Sequence, residues 1–174
     1  MEILILITLI IQSMGVSLGV GSSTLAVLNF FTAIKDGVID EKERNFMGVT
    51  YIVLRVSMVV LLITTAILIY AGFSQYGTDY FNGYVLSQIL IIAILYLNAI
   101  LMTLHMMPST FGPAIQASAW YSLGLIFALT AAGLVNLPIL TYILIYLTLF
   151  IVALIIINGV MGYLKKQSAP QQQT

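Results

Sequence analysis

Apolar residues run along this chain in long unbroken blocks, separated by short clusters of polar, glycine and proline residues. A helix needs roughly 20 apolar residues to cross ~30 Å of hydrocarbon. Five blocks reach that length: residues 3–34, 46–71, 83–107, 114–136 and 138–164. None shows period-2 alternation, which argues for helices rather than membrane strands. The breaks agree with this division. Lys35-Asp36-Gly37 closes the first block, Gly72 to Asn82 is polar and aromatic, and Pro108 and Pro113 bracket a short loop. Asn136-Leu137-Pro138 reads as a tight turn, with Pro138 suited to the first turn of the next helix. The predicted fold is all-α: one polytopic integral membrane bundle of five transmembrane helices over residues 1–166. A polar tail, 167–174, is expected to be disordered.

Composition sharpens this picture. Of 174 residues, 61% are hydrophobic and 7% charged. A soluble domain carries about 25% charged residues, so a water-soluble monomer is excluded and the lipid bilayer is the first partner. Six Lys+Arg balance six Asp+Glu, leaving no charge excess for nucleic-acid binding or for a disordered chain. The absence of cysteine excludes disulfides, thiol nucleophiles and Cys-ligated metals. The start, Met-Glu-Ile-Leu-Ile-Leu-Ile, has no basic leader, so the first block is expected to remain in the mature protein.

Charge also sets an orientation. Lys35, Lys42, Arg44 and Arg55 lie in or just after the first loop, and Lys165 and Lys166 follow the fifth block. Five crossings put all six on one face, against Glu2 and Asp79 on the other. Basic residues favour the cytoplasmic side, so the N-terminus is expected outside and the C-terminus in the cytoplasm, in a plasma (inner) membrane. Five blocks cannot be halved, and none echoes another, so inverted repeats are not expected. Five helices enclose a narrow space, which favours an oligomer for any wide path.

The first block is the richest in polar and small residues: Gln12, Ser13, Ser17, Ser22, Ser23, Thr24 and Asn29, with Gly15, Gly19 and Gly21. Gly15 and Gly19 form a G-x-x-x-G; Ser13, Ser17 and Gly21 form a second small stripe at four-residue spacing. Small residues let helices approach closely where lipid offers no hydrophobic drive. One reading is a helix-packing seam. The other is an unwound Gly19–Thr24 segment lining a polar cavity or ion site. Tilt or a break at the glycines would account for the surplus length.

The loop after it, Asp36 to Arg44, matches only the second half of a calcium-binding EF-hand, because Thr32 and Ile34 stand where two ligands are needed. Asp40 followed by Glu43 reads instead as a capping box. Arg55 is the one charge inside an apolar run. It either snorkels to headgroups or faces the bundle interior. His105 lies in Met102-Thr103-Leu104-His105-Met106-Met107. On a helix, Met102, His105 and Met106 share a face; they would suit Cu(I), or His105 could ligate haem, and the bland alternative is packing at the interface. Asn98, near mid-span, is costly to leave in lipid and should face another helix. The aromatics of Phe73–Tyr84 on one side, and Trp120, Tyr121 and Tyr163 on the other, read as interfacial belts.

No nucleophile–base–orienter set or phosphate loop is visible, so an enzyme is not expected. The leading expectation is an oligomeric transporter or channel for a small solute or ion, with a path lined by Ser13, Ser17, Ser22, Ser23, Thr24, Asn98 and Arg55. The alternatives are an accessory or scaffolding subunit bound to another membrane protein through the small-residue seam, and a haem- or copper-binding protein using His105. Beyond that weak metal or haem option, no cofactor is expected.

Overall fold

The computed structural model describes residues 2–36, 40–108, 111–134 and 137–168; side chains at 34–36 and 165–168 are outside that description. Five long helices make up the bundle: α1 (Glu2–Asp36), α2 (Glu41–Tyr76), α3 (Gly83–Thr103), α4 (Gly112–Ala131) and α5 (Ile139–Ser168), with a 3-10 turn at Gly77–Tyr80. All five are long and apolar enough to cross a membrane. Val27 and Phe31 of α1 share a cluster with Ile157 and Met161 of α5. These two helices therefore run parallel, and the start of α1 and the end of α5 lie at opposite ends of the bundle.

The usual rule of burial is inverted, as lipid demands. In the most apolar stretch of α4, 44% of residues are buried; in that of α5, the most apolar helix, 6% are. Lipid is as apolar as leucine, so close packing and interhelical hydrogen bonds, rather than a hydrophobic drive, select what lies inside. The core accordingly mixes Leu61, Ile91, Leu95, Leu123 and Ile126 with Gln12, Ser57, Ser87 and Ser122.

Helix ends follow local chemistry. Asp40 caps α2 as expected: its Oδ1 accepts from the Glu43 amide at 2.7 Å, and Glu43 accepts from the Asp40 amide at 3.2 Å. The Gly37 turn before it lies outside the described residues. Asn82 caps α3 by accepting from the Val85 amide at 3.1 Å. Helices α3 and α4 stop sooner than their apolar blocks. Each closes in the paired 6→1 and 5→2 bonds of a Schellman motif. In α3 these run from Met106 N–H to Leu101 O and from His105 N–H to Met102 O; in α4, from Leu134 N–H to Leu129 O and from Gly133 N–H to Thr130 O. Pro138 lies just before α5, accepting from the Thr141 amide, rather than inside its first turn. Helix α5 runs through Ser168, so residues 167 and 168 of the expected tail are helical; 169–174 lie outside the described residues.

Helix α1 is continuous over 35 residues, which overturns the unwound reading of Gly19–Thr24. The reason is local. Ser17, Ser22 and Thr24 donate to the carbonyls of Ser13, Leu18 and Val20 at 2.7–2.9 Å, so the helix absorbs its own hydroxyls. Its surplus length has another use. The α3–α4 connection sits level with Ser23–Phe30 of α1 and Tyr51 of α2. The last turns of α1 and the first turns of α2 therefore continue past it, by about 9 Å and about 15 Å at 1.5 Å per residue.

Candidate functional site

Helix α1 carries two seams on opposite sides. Gly15 and Gly19 face inward: a Cβ on Gly15 would stand 2.9 Å from Val60 Cγ1, and one on Gly19 would fall inside the ring of Trp120. Ser13, Ser17 and Gly21 are exposed, and nothing lies within 4 Å of a Cβ on Gly21. At 100° per residue the two seams are about 180° apart. Gly15 and Gly19 therefore face neighbouring helices within the chain, while Gly21 lies on the outward stripe.

Trp120 is fully buried, which corrects its assignment to an interfacial belt. The indole fits at mid-helix because Gly19 leaves a hole there. Tyr121 next to it stays at the surface and hydrogen-bonds the Thr24 hydroxyl at 2.7 Å.

The remaining polar candidates are spread over separate surroundings. Ser22 is buried and bonded within α1. Ser23 is buried against a cavity at the α3–α4 loop end. Asn98 is buried and donates to the Gly112 carbonyl at 3.0 Å, tying α3 to the start of α4; its Nδ2 also touches Met102 S at 3.5 Å. Arg55 is exposed and stays out of the bundle interior, lying on a mostly apolar groove between α2 and α3 with Tyr96 and Thr103. Within one chain these residues do not converge on a common space. Sequence reasoning missed two further ties between helices: Gln12 Nε2 to Thr65 Oγ1 at 2.8 Å, and Tyr96 Oη to the Met58 carbonyl at 2.8 Å. A polar residue on a helix's small-residue face was the available signal for Gln12.

His105 departs from expectation in a useful way. Because α3 ends at Thr103, Met102, His105 and Met106 share no helix face. His105 sits in the left-handed region at φ 57°, and Met106 is 68% exposed. Met107 takes its place: Met102, His105 and Met107 line one cavity of about 290 Å³, together with Ser23, Tyr51 and Gln116. Among the described residues no three His, Asp or Glu side chains gather where they could hold one metal ion.

Fold and geometry define a five-helix bundle suited to a membrane. Compared with family models, curated proteins and solved structures, the chain matches none.

Proposed function

We propose that this chain is a self-assembling integral membrane protein whose copies pair through the outward stripe of α1. The observation that carries this reading is Ser13, Ser17 and Gly21, exposed on a helix whose other seam is already filled. A lipid-facing surface gains nothing from small polar residues, whereas a helix–helix contact gains close approach and Cα–H and hydroxyl contacts. A groove of about 350 Å³ beside the stripe, between Ile10 and Met14 of α1 and Phe127 and Thr130 of α4, offers a neighbouring ridge a seat. The end carrying α2's Lys42 and Arg44 is the cytoplasmic one by the same charge rule as before. The transporter reading requires instead that Ser13 and Ser17 of each copy stay apart and line a hydrated path between the chains. The accessory-subunit reading differs only in what covers the stripe.

The absence of cysteine makes the test clean. Ser17→Cys, oxidised in native membranes, should give a covalent dimer, while Leu62→Cys on the exposed face of α2 should not. A Ser17→Cys chain that remains monomeric removes the reading. A product heavier than one chain but unequal to two moves it to an accessory subunit.

A further inference from the structure

The cavity at the α3–α4 loop end has a construction that packing alone does not account for. Two helices of this bundle close in the same Schellman motif. In α4 the left-handed position is filled by Gly133 at φ 81°, in α3 by His105 at φ 57°. Glycine takes that conformation without a Cβ penalty, and an L side chain does not. His105, itself exposed, is among the residues that line the cavity. Strained non-glycine residues gather at binding sites, where their surroundings enforce them. Around His105 stand Ser23, Tyr51 and Gln116. Among the described residues none of these four side chains has a hydrogen-bond partner. All four can donate. Among the described residues no carboxylate, lysine or arginine lines the space, so none of them offers a counter-ion to a fully charged ligand. Phe30 and the thioethers of Met102 and Met107 supply flat and polarisable walls.

Position narrows the ligand further. Helices α3 and α4 have 21 and 20 residues, about 30 Å each, so they only just cross the hydrocarbon. Their connection, and the cavity with it, therefore lies at the membrane interface. A volume of about 290 Å³ is at the small end for ligand sites, enough for one substituted ring and not for a headgroup with two chains. We infer that this cavity binds the ring head of a lipid-soluble quinone: neutral, flat, bearing carbonyl acceptors for His105, Tyr51 or Gln116, with its tail leaving into lipid. The inference is independent of assembly through α1.

Trp120 is the chain's one tryptophan. It lies one helical turn from Gln116 on α4 and packs over Gly19, one turn from Ser23 on α1, so its emission reports on the cavity. Decylubiquinone added to the full chain in nanodiscs should quench Trp120 saturably, at well under one quinone per ten lipids. His105→Gly should melt higher than the wild type, because glycine relieves the left-handed strain, yet need at least tenfold more quinone. Gln116→Leu, which keeps side-chain bulk, should weaken binding in the same direction. A purely structural His105 would leave the quenching curve where it was. Quenching that rises linearly with quinone fraction, or a saturable curve unchanged in both variants, overturns the site.

Discussion

Gly19→Ala is expected to lower the stability of the bundle by about 1–3 kcal/mol, the usual range for forcing an extra methyl into a packed core. The added Cβ would lie 2.1–2.4 Å from three ring atoms of Trp120, and the ring has nowhere to go, being fully buried in a cluster with Leu61, Leu123 and Ile126. Alanine's helix preference over glycine, up to about 1 kcal/mol, works the other way and is outweighed. Two relatives calibrate the effect. Gly15→Ala meets one atom closer than 3 Å, the Val60 Cγ1 methyl at 2.9 Å, and should cost less, because one close contact replaces three. Gly21→Ala meets open space and should stay within about 0.5 kcal/mol of wild type. Trp120→Leu alone should be costly through the cavity it leaves. In the Gly19→Ala background it should restore part of the loss, with a coupling of about 0.5–3 kcal/mol. Unfolding of the wild type and the five variants by detergent titration, followed by circular dichroism, measures each term; an additive double variant would mean that Gly19 and Trp120 do not meet.

The same pair shows what could be read from sequence and what could not. Five long apolar helices and the capping box at Asp40 were legible because each depends on residues near one another in the chain. Trp120 was not legible as core. Its place depends on a glycine 101 positions earlier in the chain, and tryptophan on its own favours an interface. The ends of α3 and α4 were hidden for a different reason: Leu104-His105-Met106 continues an apolar run, and a Schellman closure through a non-glycine leaves little trace in composition. The polar run in α1 suggested a break because its hydroxyls need partners in lipid; the i−4 carbonyls supply them without unwinding. The cavity around His105 was the least visible, since it draws on α1, α2, α3 and α4 at once.

Gly83→Ala should be the second large loss, and one that no side-chain change repairs. Gly83 opens α3, and a Cβ there would lie 2.6 Å from the Leu137 carbonyl oxygen and 2.8 Å from the Ile139 nitrogen. Both neighbours are backbone of the turn into α5. That turn is held from both sides: Gly133 and Leu134 close α4 behind it, and the Thr141 amide bonds the Pro138 carbonyl ahead of it, at 2.9 Å. The start of α3 is equally fixed by Asn82. Relief must come from moving α5 as a body, and α5 is the helix with least burial to hold it. A loss of about 1–3 kcal/mol follows from overpacking, with hydrogen exchange at residues 140–145 accelerating before the rest of the bundle opens. Gly83→Val should do more. Trimming Leu137 or Tyr142 to alanine in the Gly83→Ala background should add its own cost rather than recover stability, the opposite of the Gly19–Trp120 pair. Recovery by either trim would show that the α4–α5 turn reaches Gly83 through a side chain and not through its backbone.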